Sequence, residues 1–321
     1  MLPEKGLGFL SEKAMDIICY NLLYAAAWLL SLLPMRVMYW LSDLTYVLVY
    51  HVAGYRRRVV RDNLASSFPE KTVQELRQIE KKFYHWFCDY VFEAVKLLSI
   101  SDKELRKRFI ITNSEAVTAC FEQGQSVGAL LGHYANWEWL SCVGIDLPEN
   151  TVQGLIYHPL RNRSFDRLFQ KIRSHGTPIP KNDILRYLRQ YRQMGIMSIF
   201  GYIADQSPKW ENIHLWLPFL GHDTPVFTGA EKIIRKMDHA VFYVEMSRPR
   251  RGCYTCTYHL IAKEPRQLPE YELTRRFFAM LEQTIRRQPE LYLWSHKRWK
   301  RTREEFERRF QVVNGKVLPK S

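Results

Sequence analysis

The residues best equipped for chemistry lie in one stretch, Gly132-His133-Tyr134-Ala135-Asn136-Trp137-Glu138. An imidazole can take a proton from a hydroxyl near neutral pH, and a carboxylate can hold its tautomer and stabilise its cation. His133 and Glu138 offer that pair at a spacing that would set the side chains roughly 140° apart on a regular helix. They converge only if the turn between them is irregular. Residues 126–131 (SVGALL) read as a short buried strand before the pair, and Trp139-Leu140 as the start of a helix after it. The pair therefore sits at the open end of a strand, where ligands and reacting groups collect in α/β proteins.

Holding such a corner takes a sheet. Residues 152–157, 196–204, 240–246 and 253–261 read as further strands. Helical spacing runs over 71–97, over 184–192, and through Leu273, Phe277, Met280, Leu281 and Ile285, while 102–125 read as a charged connection and a short helix. Strands alternating with helices predict one α/β domain over 55–321, a mostly parallel central sheet flanked by helices. The 196–204 run ends in Asp205-Gln206, again polar groups where an apolar strand stops. Residues 216–221 read as an apolar loop ahead of a helix ending at Met237. Cys253 and Cys256 form a C-x-x-C with no second pair nearby, and their alternating surroundings favour a strand over a zinc site. His85 lies in an aromatic-rich helix without a partner motif and reads as packing or surface.

The 321 residues carry a formal charge of +14 and a pI near 9.5. That balance implies an anionic partner: nucleic acid, an anionic membrane or a phosphorylated substrate. No nucleic-acid fold signature is present. Six scattered cysteines fit a reducing compartment. Residues 17–33 contain no charged side chain before Pro34 breaks the run. A second apolar segment, 37–53, carries Asp43 and leads into Arg56-Arg57-Arg58. Crossing a bilayer typically takes about 20 apolar residues. Residues 1–54 thus read as hydrophobic membrane-anchor helices, spanning or lying in one leaflet, against the alternative of a soluble helix pair. Tyr20, Tyr24, Trp28, Tyr39, Trp40 and the arginines suit an interface, and the positive-inside bias places the rest of the chain in the cytoplasm.

HYANWE resembles the His-x4-Glu form of the His-x4-Asp/Glu motif of glycerolipid acyltransferases. More closely, the chain resembles the late acyltransferases of lipid A synthesis, the lauroyl- and myristoyltransferase family. Arg61-Asp62-Asn63-Leu64 with Phe68-Pro69 matches their R-x-N-L…F-P segment. Tyr157-His158-Pro159 with Asn162 and Asp166 matches Y-R-P-x-x-N-x-x-x-D, except that His158 stands where arginine is usual. Asp205, then Phe219-Leu220-Gly221, then residues 289–300 follow in the family's order, and the likeness covers roughly residues 55–303.

The resemblance implies a bacterial inner-membrane acyltransferase with its catalytic domain facing the cytoplasm. It would move a fatty acyl chain from acyl carrier protein, less readily coenzyme A, to a hydroxyl of a lipid A precursor. His133 would act as general base and Glu138 would orient it. The absence of a G-x-S-x-G elbow favours direct transfer over an acyl-enzyme. Asn136 would help polarise the thioester carbonyl. Arg167 and Arg173, with Arg161 and Arg163 behind them, would anchor the anionic glycolipid, because arginine binds phosphate bidentately and stays charged. Asp205 would orient one of these arginines or bind a substrate amide or hydroxyl. Residues 297–303 would meet anionic head groups or the carrier protein. No metal, no nucleic acid and no cofactor beyond the carrier thioester are expected. The alternatives are another phospho- or glycolipid acceptor, or a non-catalytic basic protein tethered to membranes.

Overall fold

A computed structural model describes residues 5–313 and 315–320, with side chains from Met15 onward. Helices α1 (Lys5–Leu32) and α2 (Met35–Tyr46) meet at Pro34, and α2 runs on into a π-helical turn over Val47–Val52. Next come α3 (Arg57–Ser67) and α4 (Val73–Lys96). Thr72 and Glu75 start α4 with a reciprocal capping box, each side chain accepting the other's backbone N–H. The body continues through α5 (Asp102–Arg108), β1 (Phe109–Thr112), α6 (Ser114–Glu122), β2 (Val127–Leu131), a 3-10 helix (Trp139–Asp146) and β3 (Thr151–Tyr157). Then follow α7 (Arg163–Ile172), β4 (Thr177–Pro180), α8 (Ile184–Gln193) and β5 (Met197–Ile203). The hairpin β6 (Leu215–Phe219) and β7 (His222–Val226) precedes α9 (Gly229–Met237), β8 (Ala240–Arg250), β9 (Cys253–Ala262) and α10 (Glu272–Arg287). The chain closes with α11 (Arg303–Arg309) and the pair β10 (Phe310–Val313) and β11 (Lys316–Pro319).

Seven strands form the central sheet in the order β1-β9-β8-β2-β5-β3-β4. Every pairing in it is parallel except β8 with β9. This is the mostly parallel α/β sheet expected. All five residues of β2 are buried, as befits a central strand covered on both faces. The sequence reading passed over β1 and β4, each only four residues long. Strand β4 contains Pro178 and Pro180, which a sheet tolerates at its edge, and the edge is where it lies. The apolar loop expected at 216–221 is the β6–β7 hairpin. Cys253 and Cys256 lie on β9, unpaired and buried.

At the end of α9, His239 is buried and its Nδ1 has no partner. Burial, reinforced by Arg192, pushes it down to about 4. A base whose folded value is depressed adds stability above its unfolded value near 6.5, and that stability drains away as pH falls toward 4. Between pH 7 and pH 5 this one group should remove about 2 kcal/mol. Urea titrations of the wild type and His239→Leu at both pH values check this: the variant should lose that much less on acidification.

Candidate active site

The strand order brings His133 to a carboxylate, but not to the one five residues on. Strands β2 and β5 are parallel neighbours, with Leu131 opposite Ile203 in their register. His133 and Asp205 each follow two residues beyond that matched pair, so the side chains leave adjacent strand ends at the same level. His133 Nδ1 lies 2.7 Å from Asp205 Oδ1. Asp205 is almost wholly buried. Burial alone would raise its pKa, but the charge and hydrogen bonds of His133, with Arg298 behind, hold it below the ordinary carboxylate value. An ionised carboxylate only accepts hydrogen bonds, so in the neutral ring Nδ1 carries the proton and Nε2 the lone pair. The Gln206 amide donates to that Nε2 at 3.2 Å.

The turn between His133 and Glu138 is irregular, as the spacing required. Ala135 takes a left-handed φ of 51°, its N–H bonds the Leu291 carbonyl at 2.8 Å, and the Leu293 N–H bonds the His133 carbonyl. Glu138 nevertheless serves another partner. Arg173 grips it bidentately, Nε to Oε2 and Nη2 to Oε1, both at 2.6 Å, and the Tyr90 hydroxyl donates to Oε1 at 3.2 Å. The expected His133–Glu138 contact is therefore corrected: Asp205 holds the imidazole and Glu138 holds Arg173. Removing the guanidinium would strand a buried carboxylate, so Arg173→Met should cost about 3 kcal/mol of folding stability. The double variant with Glu138→Gln should recover part of that, as equilibrium denaturation of the single and double variants would show.

Asn136 is also displaced from its expected role. It is fully buried, its amide donates to Glu93 Oε2 at 2.9 Å, and its Oδ1 accepts from Trp139 N–H. It ties the corner to α4 and does not line the cavity. Of the four arginines, only Arg173 lines the cavity. Arg167 stacks over Tyr20 of α1 and Arg163 lies 3.8 Å from Asp16, while Arg161 is exposed ahead of α7.

The cavity encloses about 550 Å³ and takes in His133, Glu138, Arg173, Tyr90 and Gln206 at its polar end. Three neighbouring strands form its floor, because alternate residues face one side of a sheet. Strand β2 contributes Ala129 and Leu131, β5 contributes Ile199, Gly201 and Ile203, and β3 contributes Leu155. Leu140 and Val143 of the 3-10 helix line it as well. The site is an imidazole lining a mainly apolar cavity.

Sequence reasoning missed Gln206 and Tyr90, and it read Arg298 within the 297–303 run as a head-group or carrier contact, whereas Arg298 is buried and donates to the Pro225 carbonyl. Gln206 adjoins a residue that was singled out, and a polar pair after a strand was the signal. Tyr90 gave no signal and the buried role of Arg298 gave none, since their partners lie 48 and 73 residues away. His85 packs as anticipated, stacked on Tyr46 at 3.6 Å between ring centres. Among the described residues no group of three or more His, Cys, Asp or Glu could hold a metal.

The α/β sheet carries a carboxylate-backed histidine at its strand ends, beside a mainly apolar cavity. The chain belongs to the bacterial lipid A biosynthesis acyltransferases, whose family model matches residues 10–301. It is an acyltransferase, and its pathway is lipid A biosynthesis. Comparison with curated proteins gave no match.

Proposed function

We propose that this acyltransferase moves a fatty acyl chain from acyl carrier protein to a hydroxyl of a lipid A precursor at the cytoplasmic face of the bacterial inner membrane. The observation that carries the reading is the His133–Asp205 pair, whose imidazole lines the apolar cavity. The acceptor hydroxyl takes the place of the Gln206 amide at His133 Nε2 and gives up its proton as its oxygen attacks the thioester carbonyl. The imidazolium that forms is stabilised by Asp205. The tetrahedral intermediate then collapses, its C–S bond breaks, and the proton on Nε2 passes to the departing thiolate. Gln206, displaced from the ring nitrogen, then donates to the developing oxyanion. The acyl chain lies along the strand floor.

Support for the acceptor comes from family membership, and for the carrier protein from the basic surface, since that partner is acidic. Exposed Arg56 and Arg58 after the N-terminal helices support the cytoplasmic side. The test is incubation of the purified full chain with labelled acyl carrier protein and lipid A precursor. Acyl-chain mass should appear on the glycolipid with wild type and be absent with His133→Ala. Equal product from the two would remove the mechanism.

A further inference from the structure

Helix α1 has one stretch, Met15–Leu32, long and apolar enough to cross a membrane by length and composition. Its packing argues for a different placement. One stripe of the helix, through Asp16, Tyr20, Leu23, Ala27 and Ser31, is turned inward along its length, while Met15, Ile18, Leu22, Leu29 and Leu32 are exposed. The catalytic body holds both ends of that stripe. At the start, Ser164 Oγ donates to the Asp16 carbonyl at 3.2 Å, and Arg167 stacks over Tyr20. At the finish, Lys96 Nζ donates to the Ser31 carbonyl at 2.6 Å and the Leu33 carbonyl at 3.0 Å, joined by Ser99 Oγ. From Asp16 to Ser31 is about 22 Å of helix. A bilayer core is about 30 Å thick. Were α1 to cross it, the body would be drawn in beside it, with the charged groups Arg163, Arg167 and Lys96 carried into or near hydrocarbon.

Helix α2 has the same construction. Met38, Ser42, Tyr46 and Tyr50 face inward, and Ser42 Oγ donates to Asp89 on α4 at 2.7 Å. Trp40, Leu44, Val47, Leu48 and Val52 form an exposed apolar stripe at helical spacing. Exposed Arg36 precedes it, and exposed Arg56 and Arg58 follow. Apolar faces this large, bordered by arginine, suit an anionic leaflet.

We propose that α1 does not cross the bilayer: α1 and α2 together form a docking face that lies in one leaflet, with the body on the same side throughout. The proposal builds on the membrane association that family membership implies, and it specifies the geometry of that association. It places the loop before α7, which carries His158 and Leu160 at the cavity rim, beside the lipid-facing helix.

The test uses the full chain with the exposed Cys19 changed to Ser. Lys13→Cys and Arg36→Cys are each probed with a membrane-impermeant maleimide in sealed vesicles from expressing bacteria, before and after detergent. In-plane docking gives both positions the same sidedness; opposite sidedness overturns it. Ile18→Cys, Leu22→Cys and Leu29→Cys, labelled with a small fluorophore, are then reconstituted with lipids doxyl-labelled at carbon 5 or carbon 16. All three should be quenched more by the shallow quencher. Preferential deep quenching at Leu22→Cys, with shallow quenching at one of the flanking positions, overturns the proposal. The combination Leu44→Glu and Leu48→Glu should lower partitioning onto phosphatidylethanolamine–phosphatidylglycerol vesicles about tenfold or more. Unchanged partitioning removes α2 from the face and overturns the two-helix form. Acyl transfer by the wild type is measured in the same preparation, so failure of the docking geometry and failure of the proposed reaction register separately.

Discussion

Asp205→Asn should lower the turnover of acyl transfer about a thousand- to ten-thousand-fold, with KM for donor and acceptor changed only a few-fold. An amide in place of the carboxylate can present N–H to Nδ1. The imidazole would then carry its proton on Nε2, where the acceptor hydroxyl needs a lone pair. It would also lose the negative charge that stabilises the imidazolium in the transition state. Neither effect touches ground-state binding, so the loss falls on kcat. His133→Ala should match it to within about tenfold, and the double variant should be no worse than the worse single, because the two residues act as a unit. Glu138→Gln separates this arrangement from a His133–Glu138 pair. Its oxygens belong to Arg173 and Tyr90, so the defect should appear as lost stability and weakened substrate binding. A kcat loss confined to Glu138→Gln, with Asp205→Asn near wild type, would reverse the assignment. The Asp205 carboxylate, held below its ordinary value, stays ionised across the neutral range. Its contribution is lost only as pH falls through the acidic carboxylate range, so no activity step near neutrality should trace to it.

The sequence placed both partners of that pair at strand ends, and the structure explains why their pairing was not legible. Asp205 meets His133 because β5 lies beside β2, yet β3 and β4 come between them in the chain. Sheet order is a property of crossovers and helix packing, and hydrophobic periodicity carries no trace of it. The five-residue spacing to Glu138 was visible, and so was the need for an irregular corner. The competitor was not: Arg173 reaches Glu138 from 35 residues downstream. The arginines of 161–173 show the same limit. Their charge was plain, but Arg163 and Arg167 face α1, whose docking against α7 depends on the tertiary fold. Asn136 was read from the motif as a substrate group, whereas its buried amide closes on Glu93. The strands of the central sheet with five or more residues were found, its four-residue strands β1 and β4 fell below the signal, and the five-residue β6 and β7 read as a loop because Pro218, Gly221 and Pro225 punctuate them.

Gly201→Val should shorten the acyl chain the enzyme accepts. Gly201 faces the cavity from the middle of β5, level with Ala129 of β2 and Leu155 of β3. Two small residues of the three in that row keep the hole open. A Cβ at Gly201 would meet only Leu131 Cδ2, at an ordinary contact distance of 3.5 Å, and the backbone is not left-handed. Valine therefore fits the strand, for which it is well suited, and its methyls enter the cavity instead of colliding with its wall. The row lies four residues below the Asp205 level, about 13 Å along the strand. At the ~1.2 Å per bond of an extended chain, that is a depth of roughly eleven bonds. Donors that stop short of it should react at near wild-type rates. Donors that extend three or four methylenes past it should lose about 3 kcal/mol of burial, or roughly a hundredfold in kcat/KM, at about 0.8 kcal/mol each. Competition between short and long acyl carrier proteins, read by product mass, measures the ratio directly. A uniform loss across all lengths would mean that valine merely disturbs the sheet. An unchanged ratio with full activity would mean that the chain runs elsewhere, and Ala129→Leu on the adjoining strand supplies the independent check of the same floor.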